Sequence, residues 1–367
     1  MFRFADQFGP ARTIHVHEPS LGLKGILVID NVACGPAIGG LRMAPDVGVE
    51  ECFRLARAMT LKNAAAGLAH GGGKSVLFGD PRMPRERKQA LIRAFAHALR
   101  NERDYLFGPD MGTDEACMAW VRDEIGRAVG LPAELGGIPL DEIGATGWGL
   151  CHAALAALPY CGLDLAGARL AIQGFGAVGR HAARFLTARG AVLVAAADSR
   201  GTLVDDGGID VEALIRDKRA GLGVCEHARG ERRSVDAVID VECDIWVPAA
   251  RPDVIREDNV DRLRTRLVLE GANIPFSAEA ERRLHERGVC VVPDFIANAG
   301  GVICAALEYR GSTQAAAFAT IAERVTQNTA ETLERARVAG ILPRRAALDM
   351  ATQRVQKAMS LRRFTIF

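Results

Sequence analysis

The stretch Arg169-Leu170-Ala171-Ile172-Gln173-Gly174-Phe175-Gly176-Ala177-Val178-Gly179 decides the fold. An apolar run that reads as a strand feeds a glycine-rich turn, and the turn opens a helix predicted over 176–189. A second strand is predicted over 191–197, and Asp198 ends it, 19 residues beyond Gly179. GxGxxG by itself is a weak pattern. Between a strand and a helix, with an acidic residue closing the next strand, it reads as a dinucleotide-binding turn. Gly174 allows the tight turn, Gly176 lets backbone approach a pyrophosphate, and Gly179 lets helix and strand pack closely. With Phe175, Ala177 and Val178, these residues bring a helix N-terminus and its free N–H groups to the phosphates. Asp198 would accept hydrogen bonds from ribose hydroxyls and repel a 2′-phosphate, so the expected cofactor is NAD rather than NADP. Arg200, close by, softens that repulsion.

Downstream, short strands are predicted at 245–247, 267–269 and 289–292. Strands alternating with crossover helices are the signature of a parallel sheet covered on both faces. Upstream, a strand at 25–29 leads to a glycine-rich loop at 35–40. A helix over 50–66 places Leu55, Met59, Lys62 and Ala66 on one face. Gly71-Gly72-Gly73-Lys74 then precedes a strand at 75–78, and 85–100 reads as an amphipathic helix. A strand at 105–107 ends in Gly108-Pro109-Asp110, and Thr113 is expected to cap a helix carrying Asp114 and Glu115 in its first turn. The tail, 314–363, reads as helical, with Arg344, Arg345, Arg354, Lys357, Arg362 and Arg363 forming a solvated basic face.

The 367 residues carry 46 Lys+Arg against 45 Asp+Glu, a net charge of +1. Such a chain has no bulk field to gather nucleic acid or an anionic membrane. Apolar residues at 49% and charged residues at 25% describe an ordinary globular protein of two or three domains. A small-molecule partner is the class that remains. Nine cysteines lie scattered without a CxxC pair or zinc spacing, so no metal is expected. Their odd number and the early polar residues of Met1–Asp6 read as reduced thiols in the cytoplasm. Residues 143–163 lack Asp, Glu, Lys and Arg, but the four glycines, His152 and Pro159 point to a buried linker and core helix.

Three residues carry proton chemistry in combination. Lys62 lies on the apolar face of its helix, either snorkelling at an edge or held inside. Lys74 follows three glycines, which would let backbone and substrate approach closely. Asp110 sits in a turn at a strand end. Singly, each has an ordinary reading as a surface lysine, a strand-end lysine or a turn aspartate. Together they supply a cation for a carboxylate, a lysine tuned downward by burial and a neighbouring charge, and a proton-transfer carboxylate. Beside a nicotinamide site, that set suits oxidation of an amino acid. Asp114 is a rival carboxylate, better read as a helix-terminus partner. His70 reads as a packing histidine.

The chain resembles the glutamate/leucine/phenylalanine/valine dehydrogenase family over nearly its whole length. The matching stretches are Gly39–Met43, Leu55–Ala64, Gly71–Lys74, Gly108–Thr113, Ala145–Gly147, Glu270–Asn273 and Pro293–Val302. The resemblance implies an α/β architecture. A substrate-binding and oligomerisation domain spans 1–140, with a C-terminal helix, 330–367, packing back on it. A Rossmann-like nucleotide domain spans 141–329, and a deep cleft separates the two. It implies that Lys62, with the Gly39 and Gly40 backbone, holds the substrate α-carboxylate. Lys74 and Asp110 resemble the catalytic lysine and aspartate. Thr146 and Asn298 match positions near the nicotinamide, and Asn273 one near substrate and nicotinamide ribose. A homo-oligomer is also implied.

In this mechanism Asp110 takes a proton from the substrate amine before hydride leaves Cα. Lys74, neutral, then activates water against the iminium. The products are a 2-oxo acid and ammonia. In the glutamate enzymes a lysine before the Gly-Gly pair, and a serine three residues beyond the valine that Val302 matches, bind the distal carboxylate. Here those positions are Ile38 and Ala305. A buried carboxylate without partners costs on the order of several kcal/mol. The expectation is therefore an apolar amino acid of the leucine, valine or phenylalanine class. Gly130-Leu131-Pro132 and Gly136-Gly137 look more like phenylalanine than leucine dehydrogenases, while 138–143 departs from the glutamate pattern. The rival readings are a glutamate dehydrogenase with another distal contact and a catalytically silent NAD-binding regulator. Retention of Lys62, Lys74 and Asp110 argues against the regulator.

Overall fold

The structure, a computed structural model, describes residues 3–362. The chain forms two compact units, one of Met1–Leu140, Val302–Ala317 and Leu348–Phe367, the other of Asp141–Gly301 and Phe318–Ala347.

The first unit contains β1 (Arg12–Glu18), β2 (Leu23–Asn31), β3 (Ala37–Ala44), α1 (Val49–Ala65), β4 (Gly71–Phe78), α2 (Arg85–Ala98), β5 (Tyr105–Pro109) and α3 (Glu115–Ile125). Its sheet runs β1-β2-β4-β3-β5, with β3 parallel to both β4 and β5. Strand alternation separates two cores. Ile26, Val28 and Val76 pack with Cys52 and Ala56 of α1. Leu27, Ile29, Leu41 and Leu77 pack on the other side with Phe95, Phe107, Met118 and Val121.

Several local expectations change here. The glycine-rich segments at 35–40 and 71–74 are mostly strand: Ala37 begins β3, and all three glycines of 71–73 lie in β4. The triplet makes room for protein rather than for a ligand. A Cβ at Gly72 would collide with the Thr60 backbone of α1, and one at Gly73 would meet the Tyr105 ring at 2.9 Å. α1 also turns a different face to the sheet from the one expected. Its buried face is Cys52, Ala56, Thr60 and Asn63, leaving Leu55, Met59 and Lys62 half-buried on the flank. The cap of α3 is Asp114, which accepts from the Cys117 amide at 2.9 Å. Thr113 instead ties the preceding turn, donating to the Leu41 carbonyl at 2.8 Å and accepting from the Asp110 amide at 3.0 Å.

α4 (Leu140–Ile143) leads into the second unit: α5 (Ala145–Cys161), β6 (Arg169–Gln173), α6 (Ala177–Thr187), β7 (Val192–Asp198), β8 (Gly201–Val204), α7 (Val211–Arg219), β9 (Glu231–Arg233), β10 (Ile245–Pro248), β11 (Leu267–Leu269), α8 (Ala278–Glu286), β12 (Cys290–Val292) and α9 (Asp294–Ala297). The sheet order is β12-β11-β10-β6-β7-β8-β9, parallel from β12 through β7. From β6 the chain builds outward to β7, then returns to place β10 on the opposite side of β6. That reversal is the topological switch point of a Rossmann-like sheet, and ligands bind at the strand C-termini there. The α/β reading holds. The uncharged stretch at 143–163 is α5, buried along much of its length; a Cβ at Gly147 would stand 2.6 Å from His181 Cβ on α6. Among the described residues, no helix is long and apolar enough to cross a membrane.

The chain ends in α10 (Gly300–Tyr309), α11 (Gln314–Ala339) and α12 (Pro343–Ser360). The solvated-face reading of the tail fails at two arginines. Arg354 donates to the Ala65 carbonyl at 2.6 Å and the Ala64 carbonyl at 3.2 Å, covering the open C-terminal carbonyls of α1. Arg344 is engaged by three acids. Arg363 lies outside the described residues.

Candidate active site

The first unit brings Lys74 and Asp110 together. Lys74 points from β4 with its side chain 5% exposed, and its Nζ touches Asp110 Oδ2. Asp110 follows β5, and its other oxygen, Oδ1, accepts from Arg42 Nε and Nη2 at 3.2 Å each and from the Met111 amide at 2.5 Å. Arg42 also bonds Glu51 of α1 at 2.5 Å. A Cβ at Gly40 would stand 2.8 Å from Asp110 Cβ, so this glycine is what lets the carboxylate sit over β3. Burial, then the positive charges of Arg42 and Lys62, push the Lys74 amine down to about 7. The Asp110 contact pulls the other way, because an adjacent carboxylate favours the ammonium.

Lys74 is thus the buried member of the set. Lys62 and Asp110 are half-buried. Sequence reasoning left Lys62 either at an edge or held inside, and the structure half-buries it. That reasoning also passed over Arg42, although alternation along β3 puts Arg42 on the same face as Gly40 and Ile38. Ile38 is 4% exposed and lies opposite Gly72 in the register. Ala305 is buried on α10, where Val302 is half-buried. His70 is buried, with Nδ1 bonded to the Pro36 carbonyl at 3.1 Å and its edge toward Tyr309.

The second unit carries the other candidates. Gly174 has φ +98°, and a Cβ there would meet Ala250 Cβ at 2.6 Å. A Cβ at Gly179 would collide with the Gly174 carbonyl. Gly176, in contrast, is exposed, and among the described residues nothing beyond its chain neighbours lies within 4 Å of its Cβ position. Two of the glycines thus serve protein packing, and the middle one leaves open space before the first turn of α6. That opening fits a phosphate group. Val178 lies beside Gly271, 3.2 Å from its Cβ position, so the glycine-rich turn and the 270–273 loop adjoin. Asn298 Nδ2 donates to Asn273 Oδ1 at 3.0 Å, joining two separately predicted residues. Thr146 Oγ1 stands 3.2 Å from the Cβ position of Gly301.

Asp198 ends β7 but is not free. Its carboxylate accepts from Lys218 Nζ at 2.7 Å, the Arg200 amide at 2.8 Å and the Val224 amide at 3.0 Å. Burial opposes ionisation, yet these donors hold the carboxyl below its usual range. Lys218 had no signal in the sequence beyond being one of several basic residues on α7. Arg200 turns to Glu226 at 2.6 Å. No group of metal-ligating side chains occurs among the described residues.

The sequence profile of the Glutamate/Leucine/Phenylalanine/Valine dehydrogenases matches residues 136–363, and that of the Glu/Leu/Phe/Val dehydrogenase dimerisation domain matches 10–127. The chain belongs to this family. Among its relatives, the NADP(+)-dependent glutamate dehydrogenase of Pyrobaculum calidifontis is 41% identical over 78% of this chain and 72% of its own. The glutamate dehydrogenase of Aeropyrum pernix is 36% identical over 90% of this chain and 85% of its own. The leucine-bound hetero-hexameric glutamate dehydrogenase of Thermus thermophilus superposes with a TM-score of 0.84, at 29% identity over 97% of this chain and 90% of that one. Membership makes this family chain an amino-acid dehydrogenase, an oxidoreductase using a nicotinamide cofactor. The expected preference for an apolar amino acid finds no support in relatives named for glutamate, and the expected NAD none in a relative named for NADP.

Proposed function

We propose that the chain catalyses the reversible oxidative deamination of L-glutamate to the 2-oxo acid and ammonia. The observation carrying this reading is the identity to glutamate dehydrogenases along most of both chains. A second reading, an apolar amino acid of the leucine, valine or phenylalanine class, is favoured by one specific feature. Ile38 and Ala305, both apolar and buried, stand where the glutamate enzymes carry the lysine and serine described above. Glutamate would need a partner for its distal carboxylate other than these two residues.

In either reading the first unit holds the amino acid. Lys62 and the Gly39 and Gly40 backbone would take its α-carboxylate, Asp110 the proton of its amine, and Lys74, as the neutral amine, a proton from the attacking water. Residues 174–179 with the N-terminus of α6, and Thr146, Asp198, Asn273 and Asn298, would hold the nucleotide. What the nucleotide supplies when bound is the hydride acceptor. We read the cofactor as NAD on the strength of Asp198. Lys218 neutralises part of that charge and makes use of NADP the alternative. The dimerisation-domain match and the hetero-hexameric relative support an oligomer, which we read as a homo-oligomer, and nine free thiols support a reducing, cytoplasmic setting.

The test is initial-rate formation of reduced nicotinamide from NAD and from NADP, with glutamate, leucine, valine and phenylalanine at alkaline pH. Fastest turnover of glutamate supports the first reading. Fastest turnover of an apolar substrate supports the second. No turnover of any of them, despite nucleotide binding, would overturn both and return the silent regulator.

A further inference from the structure

Arg344, the second residue of α12, bonds three buried carboxylates. Nη2 donates to Glu270 at 2.6 Å, Nη1 to Asp294 at 2.8 Å and Nε to Glu281 at 2.7 Å. The acid side chains are 0%, 8% and 4% exposed. Two of these acids also hold main chain. Glu270 Oε2 accepts from the Asp294 amide, and Asp294 Oδ2 accepts from the Ile274 amide, both at 2.9 Å. The Asp294 carbonyl accepts from the Asn298 amide at 2.7 Å. One guanidinium therefore closes a lattice that joins the 270–274 loop to α9.

That loop is under strain at one place. Ile274 has φ +49°. A β-branched residue in the left-handed region is an outlier that persists only where its surroundings over-determine it. The bond from its amide to Asp294 is such a constraint, and Arg344 holds Asp294. The neighbouring residue is Asn273, whose Oδ1 receives the Asn298 amide group. The same loop adjoins the glycine-rich turn through Gly271 and Val178. We propose that Arg344 is a positioning residue. Through Glu270 and Asp294 it keeps the 270–274 loop in its left-handed turn, and so presents the Asn273–Asn298 pair to the nicotinamide half of the nucleotide. The role of that pair rests on the reading in the preceding section; the lattice itself does not.

Three carboxylates face this single guanidinium, and Oε1 of both Glu270 and Glu281 has no hydrogen-bond partner among the described residues. Burial, reinforced by the Asp294 and Glu281 charges, raises the Glu270 carboxyl despite Arg344. Loss of Arg344 leaves the acids without their shared counter-ion, so a stability effect by itself does not distinguish positioning from packing. The test therefore uses the full chain with Arg344→Met, the milder Arg344→Lys, and each combined with Ile274→Gly, since glycine takes positive φ freely. The expected result is a KM for the nucleotide raised about tenfold or more, an amino-acid KM within about twofold, and faster amide exchange in 270–276 but not in 169–179. Ile274→Gly should restore most of the nucleotide KM. Should Arg344→Met not fold, Arg344→Lys carries the same comparison. An unchanged exchange pattern, or no recovery with Ile274→Gly, overturns the proposal. If 270–276 loosens as expected but Asn273→Ala leaves the nucleotide KM unchanged, the positioning stands and the nicotinamide role of Asn273 falls.

Discussion

The Lys74 ammonium and the Asp110 carboxylate are in direct contact, with Arg42 on the carboxylate's other oxygen. The two groups proposed to move protons thus hold one another directly. Substitution at either should reduce kcat by about a hundredfold to ten-thousandfold, the ordinary worth of a positioned acid or base. Lys74→Ala and Asp110→Asn test this by steady-state rates, with fluorescence titration of NADH expected to give an unchanged Kd. Near-normal turnover in either variant would remove it from the mechanism.

The Lys74 amine, pushed down to about 7, gives a pH dependence of definite sign. The neutral amine is the working form, so kcat/KM for the amino acid should rise with pH around 7 and then level. Arg42→Met removes a positive neighbour and should move that limb to higher pH. Folding stability follows the same group. The folded state binds fewer protons than the unfolded between about 7 and 10.5, so stability relative to Lys74→Met should rise with pH across that window. Paired denaturant titrations at several pH values measure it.

Gly176 and Gly179 should respond oppositely to substitution. Among the described residues, no atom beyond its chain neighbours lies within 4 Å of a Cβ at 176, so Gly176→Val should keep its melting temperature and lose nucleotide affinity by about tenfold or more. Gly179→Ala drives a methyl into the Gly174 carbonyl and should lower the melting temperature by several degrees. Thermal melts with and without NADH separate the two effects.

Nucleotide choice turns on Asp198 and Lys218, 2.7 Å apart. Asp198→Ala should raise NADP use relative to NAD, and Lys218→Ala, by freeing the carboxylate's charge, should do the reverse. The ratio of kcat/KM values for the two nucleotides is the readout, and no change in either variant would exclude Asp198 from the ribose site.

Substrate choice is tested at the two buried apolar positions. Ile38→Lys with Ala305→Ser introduces the cation and hydroxyl that a distal carboxylate needs. The double variant should raise the ratio of glutamate to leucine turnover by about tenfold or more, the worth of a fraction of one buried charge contact. A ratio that stays put would show that the side chain is recognised elsewhere.

What could be read before the structure was local. The strand, turn and helix at 169–189 follow from apolar runs and from glycine spacing, because neighbours in sequence make those contacts. The same holds for Lys74 and Asp110 as residues of interest, each marked by glycine or proline beside it. The glycine triplet at 71–73 stands out in the sequence, but its crowding comes from the Thr60 backbone and the Tyr105 ring, which no local pattern places there.

The sequence by itself determined that a glycine-rich strand–turn–helix, a parallel sheet and a candidate lysine–aspartate pair belong to one chain, because periodicity and residue type carry that information. Only the tertiary structure decided how the charges pair. Arg42 reaches Asp110 across 68 positions, and Arg344 reaches Glu270 across 74. A balance of +1 and a row of basic residues in the tail give no sign of either. Which charges leave water depends on the strands and helices that close over them, and that closure is a property of the whole fold.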